Sequence, residues 1–465
     1  MIKNKNVPLP VKASIFFFIG SVIQQSTSII TTPIFTRLLS KSDYGITNIY
    51  NSWFAIFSII MTFSLSSGGV YNNAMLDFKD ELDEFTSSMI TLVNCSIGIY
   101  LFIYLVFKDY INKLLGLSTP LILTMFVTIL LNVPFNLWMS RQRFEYKYKL
   151  SVFINILITM FSIILSYLFV KSMPQNKSFG RILGGCLFTC IIGFIIFLNT
   201  VKKGKTGFKK IYWKYALTFN IPLIPHYLSH IILSQSDRII ISKVLNSAQA
   251  GLYGVGYSAA SVINIIWSAI SGSWTPWIYK KIKENEYNKI YKITNYLVIF
   301  LIVICIIFIA FAPEIIKILA APSYYEAIWI IPPVVIGIFF TFLCNIYGNI
   351  LFYYKKSKIV MSATVTCAIS NIILNLIFIP KYGYIAAAYT TMVCYMLFAL
   401  FHYIIIKKVI NKKIYNNKFF LVSSLIFVVL SFLIMMLYDL TIIRFIIIII
   451  VMILIIIERK KLLIC

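Results

Sequence analysis

The chain has 465 residues, 60% of them hydrophobic and 12% charged, with a mean hydropathy of +0.88 and a formal net charge of +27. That balance excludes a soluble globular domain and specifies a polytopic membrane protein. The basic residues form small clusters beside apolar stretches instead of covering one polar domain, which also excludes nucleic-acid binding as the reason for the charge.

A helix needs roughly 20 apolar residues to cross the hydrocarbon core, where every backbone polar group must be satisfied within the segment. Fourteen such spans are predicted, at 12–36, 44–67, 86–107, 119–139, 150–170, 179–201, 215–242, 250–278, 294–312, 327–353, 359–379, 384–406, 418–437 and 441–457. With the amino terminus inside, the cytoplasmic gaps and both termini hold 30 of the 42 basic residues and the external side keeps 12. Both termini are therefore expected on the cytoplasmic side of the membrane.

In chain order, Met1 to Lys12 followed by Ile15-Phe-Phe-Phe-Ile19 has the outline of a signal peptide. It lacks a small-residue cleavage site and its apolar stretch runs on, so it reads as a retained first span, carrying Gln24 and Gln25. The gap at 68–85 puts Met75, Phe78, Leu82 and Phe85 on one helical face and Asp77, Asp80, Glu81 and Glu84 on the other. That pattern predicts an amphipathic helix on the cytoplasmic surface, its acids either solvated or holding a cation. Asn132 and Asn136 in the fourth span, and Asn345 and Asn349 in the tenth, read as polar groups that hold helices together. Cys186 and Cys190 are separated by three residues with no histidine nearby, which describes packing residues and not a metal or redox site. Gly204-Lys205-Thr206 has the shape of the end of a phosphate-binding loop, but position 199 is Asn and no strand precedes it. No cofactor is expected, and ion coupling by H+ or Na+, or a partner, is left as the source of energy.

The seventh span carries the densest chemistry. Pro222 and Pro225 each remove a backbone hydrogen bond, so the helix should kink or break near its inner third. His226 and His230 are one turn apart, and Asp237 lies two turns beyond on the same side, with Arg238 next to it. One central Asp or Arg costs about 2.5–3.5 kcal/mol on insertion scales, so such groups face a cavity or a partner helix. Two readings stand: a polar stripe lining a cavity, or Asp237 and Arg238 solvated near the outer interface with the histidines bonded to neighbouring backbone.

The chain is also written twice. Arg37-Leu-Leu-Ser-Lys-Ser-Asp-Tyr-Gly45 is echoed by Lys243-Val-Leu-Asn-Ser-Ala-Gln-Ala-Gly251 at an offset of 206 (243 − 37), and Ser162-Ile-Ile-Leu-Ser-Tyr-Leu-Phe169 by Asn371-Ile-Ile-Leu-Asn-Leu-Ile-Phe378. Matched halves of apolar sequence mark a secondary transporter. Each half holds six spans, an even number, so the copies share one orientation. At the 206 offset Gly20 faces His226, Gln24 faces His230, Thr31 faces Asp237 and Thr32 faces Arg238.

Arg37 to Gly45, Ser236-Asp-Arg-Ile-Ile240, Gly251-Leu-Tyr-Gly-Val-Gly-Tyr257, Ala312-Pro-Glu-Ile-Ile316 and Asn371-Ile-Ile-Leu-Asn-Leu-Ile-Phe-Ile-Pro-Lys-Tyr-Gly383 follow one another in a characteristic order. In these landmarks the chain resembles the bacterial polysaccharide-repeat-unit flippases of Wzx type, in the multidrug/oligosaccharidyl-lipid/polysaccharide exporter superfamily. The resemblance implies an all-α fold: six-helix lobes at 1–205 and 206–412 around a central cleft, then two more helices and a cytoplasmic tail at 413–465. It implies transport and not enzymology: a polyprenyl-pyrophosphate-linked oligosaccharide moves from the inner to the outer leaflet for O-antigen, capsule or exopolysaccharide biosynthesis. Membrane lipids, a polysaccharide polymerase and a chain-length regulator are the partners it implies.

On that reading Arg238 is the first candidate to bind the diphosphate, with Arg37 and Lys243 nearer the outer mouth and Gln24 as a further substrate contact. Asp237, His226 and His230 are the candidates for coupling to H+ or Na+. Lipid II flippases, a neighbouring family, carry cations deep in the first span, whereas this one reads Ile15-Phe-Phe-Phe-Ile-Gly-Ser-Val-Ile-Gln-Gln25. Multidrug relatives often place an acid in the amino-terminal lobe, and spans one to six hold none by this reading. A membrane polymerase or acyltransferase would be expected to carry a larger external loop than the roughly fourteen residues available.

Overall fold

The computed structural model describes residues 9–65, 69–409 and 414–446, which are almost wholly helical. By internal packing the chain divides into two compact units, Met1–Gly251 and Leu252–Cys465. In chain order come α1 (Leu9–Leu38), α2 (Lys41–Thr62), α3 (Val70–Asp77), α4 (Leu82–Val106), α5 (Lys108–Leu115), α6 (Thr119–Phe144), α7 (Tyr148–Ser172) and α8 (Lys177–Gly204). They are followed by α9 (Lys210–Asn220), α10 (Ile224–Val244) and α11 (Ser247–Ser261). The remainder are α12 (Ile263–Lys283), α13 (Tyr287–Ala310), α14 (Ala312–Leu319), α15 (Ile331–Tyr353), α16 (Ser357–Tyr382), α17 (Ile385–Val409) and α18 (Asn417–Met436).

Twelve helical stretches among the described residues are long and apolar enough to cross a membrane. The predicted second span coincides with α2, whose Asp43, Asn48 and Asn51 dilute its hydropathy. The predicted fourteenth span, 441–457, lies outside the described residues beyond residue 446.

The repeat is visible in the helix starts. Ser40 caps α2 by accepting the N–H of Asp43 at 3.1 Å, and Asn246, its counterpart 206 residues on, accepts the N–H of Gln249 at 2.9 Å. The eight-residue α5 directly after α4 has its twin in the eight-residue α14 after α13. Copied caps and copied short helices are backbone features that chance similarity of apolar runs would not reproduce.

Within the first unit α8 packs on α4, α6 and α7. In the second unit α15 is the centre, packed by α12, α13, α17 and α18, with every residue from Ile331 to Phe340 buried. Residues 441–446 are helical and are stapled to this unit. Arg444, 2% exposed, donates to both carboxylate oxygens of Glu314 at 2.7 and 2.8 Å and to the carbonyl of Ala310 at 2.6 Å.

The 68–85 segment differs from its expectation. It is not one continuous surface helix: α3 ends at Asp77, a turn follows, and α4 starts at Leu82. Met75, Leu82 and Phe85 are buried within the protein, and Phe78 stacks on Phe85 at 5.3 Å and meets the edges of Tyr212 and Tyr215. Asp80 is exposed, as expected, but the other acids are engaged by side chains: Tyr215 donates to Asp77 at 2.5 Å, Lys209 bridges Glu81 and Glu84 at 3.0 and 3.3 Å, Tyr212 donates to Glu81, and Arg141 pairs with Asp83.

Candidate functional site

The helix of the seventh span breaks where its prolines predict. α9 ends at Asn220, a single 3-10 turn covers Ile221–Leu223, and α10 restarts with Pro225 in its first turn, where a missing N–H costs nothing. Asn220 sits at the break, fully buried, with neither amide atom hydrogen-bonded. Along α10, His226 is half-buried with its Nδ1 buried and unbonded, and His230 is exposed. Asp237 is fully buried and Arg238 is 7% exposed, so the pair is not solvated at an interface.

α10 lies along α2, and that contact shapes the Arg238 environment. One guanidinium nitrogen donates to the carbonyl of Ser234 and to Oε1 of Gln235, both at 2.9 Å, and Ser52 on α2 donates to the same Gln235 oxygen at 3.2 Å. Tyr44, near the start of α2, hydrogen-bonds Thr32 and lies within electrostatic reach of both Arg238 and Arg181. Thr32 and Arg238 are counterparts at the 206 offset, so equivalent positions of the two copies both act on one phenol. Arg181, at the start of α8, stacks on Phe35 at 3.6 Å and donates to Ser166 at 3.0 Å. Both guanidinium groups act electrostatically on the Tyr44 phenol, and a guanidinium is the side chain best suited to a bidentate hold on an anion.

Beyond this cluster the repeat motifs touch. A methyl group on Gly45 would overlap the carbonyl oxygen of Ser247 and stand 2.6 Å from its carbonyl carbon. One on Gly251 would overlap the carbonyl oxygen of Lys41 and stand 3.1 Å from the nitrogen of Gly45. Ser42 and Ser247 join hydroxyls across the contact at 2.8 Å.

Three expected site residues stand apart from the arginine cluster. Arg37 is exposed and donates to Pro33 of its own helix at 2.8 Å; exposed Lys243 donates to the carbonyl of Lys113 at 2.7 Å; Gln24 is exposed on α1. Sequence reasoning missed Arg181 and Tyr44, which fell at predicted span edges and showed no pairing pattern. It also passed over a polar network in the second unit, although Asn371 and Asn375 stand one turn apart within a span. Asn371 donates to Thr391 at 2.9 Å, Asn375 donates to Asn371 at 3.1 Å, and Thr390 donates to Asn375 at 2.5 Å and to Ala387 at 3.0 Å, all fully or nearly buried. These carboxamide and hydroxyl oxygens are gathered between α16 and α17 and are bonded to one another.

The sequence model of the family described as "Polysaccharide biosynthesis protein" matches residues 11–282, more than half of the chain, and that of MatE matches residues 222–377. A protein of the Lsg locus of Haemophilus influenzae is 23% identical over 283 residues, 59% of this chain and 67% of the relative. An uncharacterized membrane protein of the same organism is 24% identical over 288 residues, again 59% and 67%. Among solved structures, the lipid II flippase MurJ in an inward closed conformation matches with a TM-score of 0.71 at 17% identity, covering 97% of this chain and all of that one. A multidrug-resistance MATE transporter of the MOP superfamily in an inward-facing conformation matches at 0.62 and 11% identity, covering 84% and 95%. These likenesses show that the chain has the fold of that flippase and that transporter.

Proposed function

The chain belongs to the polysaccharide biosynthesis protein family, and from that premise we propose that it flips a polyprenyl-pyrophosphate-linked oligosaccharide repeat unit across the plasma membrane, both of its termini cytoplasmic. The protein is a multi-pass membrane transporter of the multidrug/oligosaccharidyl-lipid/polysaccharide exporter superfamily. In this reading residues 1–205 and 206–412 are the two lobes, and 413–465 adds the last two helices.

The observation that carries the reading is the pair of arginines, Arg238 and Arg181, which stand in helices long and apolar enough to cross a membrane and both act electrostatically on Tyr44. A sugar diphosphate cannot enter hydrocarbon without several kcal/mol of compensation per charge, and two guanidinium forks supply it while the polyprenyl tail stays in lipid. Asp237, His226 and His230 remain the titratable candidates for coupling. The Asn371–Asn375–Thr390–Thr391 oxygens add a cation-holding candidate that favours Na+ over H+, because none of the four side chains titrates.

Export of lipid II is the second reading, favoured by the match of nearly the whole chain to that flippase fold. Deleting the gene and identifying the lipid that accumulates on the inner leaflet decides between them. Accumulated polyprenyl-linked repeat units support the proposal; accumulated lipid II replaces it; neither lipid, with an altered surface glycan, points to an enzyme.

A further inference from the structure

The 35 helical residues from Lys210 to Val244 would measure about 52 Å if straight, against a hydrocarbon core of about 30 Å. α10 alone, with 21 residues, reaches about 31 Å. α9 is therefore surplus to crossing and belongs at the bilayer surface, joined to the end of α8 by residues 205–209.

α9 has two distinct faces. Lys209, Tyr212, Trp213, Ala216 and Asn220 turn inward, held by Glu81, Glu84 and the carbonyl of Ser88. The outward side of the elbow presents Lys202, Lys203, Lys205, Lys210 and Lys214, all exposed, together with Phe208 at 65% and Ile211 at 61% exposure. None of the five outward lysines has an ion-pair partner among the described residues, and the sequence contains no Asp or Glu between Glu145 and Asp237. The nearby acids on α3 and α4 are already taken by Lys209, Arg141 and the two tyrosines.

Unpaired cations interleaved with exposed apolar side chains, at the level where a span leaves the hydrocarbon, match a phosphate layer above an acyl boundary. We propose that the α8–α9 elbow is a binding surface for anionic phospholipids, with head-group phosphates on Lys202, Lys203, Lys205, Lys210 and Lys214, and with Phe208 and Ile211 seated at the edge of the acyl chains. The lipid then holds the helix that leads into the broken seventh span from one side while Glu81 and Glu84 hold it from the other.

The test places p-benzoylphenylalanine at Ile211 of the full chain in vesicles of equal phosphatidylglycerol and phosphatidylcholine, and weighs the photoadducts by mass spectrometry. Phosphatidylglycerol adducts should exceed phosphatidylcholine adducts by about fivefold, a margin that one well-placed lysine can supply. The excess should persist in about 10 mM inorganic phosphate, fall to near parity in K202Q/K203Q/K205Q/K210Q/K214Q, and survive in the matching five-arginine variant, which also controls for folding. Parity in the parent, absence of lipid adducts, loss of the preference to inorganic phosphate, or an undiminished preference in the five-glutamine variant would each overturn the proposal.

Discussion

Gly45 and Gly251, the last residues of the two repeat motifs, lean on one another's helices reciprocally: each meets the carbonyl of the residue four positions before the other. Such a contact has its own local two-fold relation, and it depends on hydrogens where side chains would stand. Backbone surfaces this close hold by dispersion and weak Cα–H···O contacts, so they part at small cost.

Cysteines at Ser42 and Ser247 should therefore form a disulfide under mild oxidation, since the native hydroxyls are 2.8 Å apart. Mass spectrometry of peptides from non-reduced protein checks the bond. Transport should stop when it forms and recover on reduction; full transport with a quantitative bond would mean that the contact never opens. Gly45→Val should cost about 1–3 kcal/mol through overpacking, read as a lower unfolding temperature.

Arg238→Gln should reduce surface polysaccharide tenfold or more at unchanged protein level, because it removes a buried charge and its two hydrogen bonds to Ser234 and Gln235. Arg238→Lys should restore only part of the output, since an ammonium cannot reproduce the fork. Normal polysaccharide from the Gln variant would remove Arg238 from the mechanism.

If the second-unit oxygens hold Na+, the purified protein should unfold several degrees higher in sodium chloride than in choline chloride at equal ionic strength, as expected for a ligand bound by the folded state alone. Asn375→Ala should erase that difference by removing an amide bonded to both Asn371 and Thr390. An equal sodium effect in the variant would place the ion elsewhere.

The hydrogen bond from Tyr212, and then that from Lys209, holds the Glu81 carboxyl below the usual carboxylate range. A lowered folded-state value means that the ionised form stabilises at neutral pH, and that this contribution disappears as pH falls through the folded value. Glu81→Gln should accordingly unfold at a lower temperature than the parent at pH 7, with the gap closing as pH falls through and below the usual carboxylate range. A gap independent of pH would show that charge at Glu81 contributes nothing.

Arg444→Ala should destabilise the second unit by about 3 kcal/mol or more, because it leaves the Glu314 carboxylate and the Ala310 carbonyl without their buried donor. Thermal unfolding in detergent measures it, and an unchanged transition would show that the ion pair is dispensable.

What the sequence disclosed followed from how local each signal is. Pro222 and Pro225 broke the helix where they stand because a missing N–H acts on the residue's own turn. The spans followed from runs of apolar residues, and Asp237 and Arg238 stood out because charge inside such a run is costly. Arg181 and Tyr44 did not stand out, since a cation or a phenol at a span edge is ordinary until α2, α8 and α10 bring them together. The glycines of the repeat were legible as copies, but their purpose was not, because only a neighbouring backbone explains an absent side chain. Asp77, Glu81 and Glu84 read as a solvated face for the same reason: their partners lie more than 120 residues away.

Arg444 also sets an order of events in biosynthesis. Glu314 precedes it by 130 residues, which at ribosomal speeds of about 5–20 residues per second is a delay on the order of ten seconds. Throughout that interval α13 and α14 have been made while the guanidinium that neutralises their acid has not. The second unit can therefore close around Glu314 only after residues 441–446 have emerged, so until then that acid depends on other partners or on solvent.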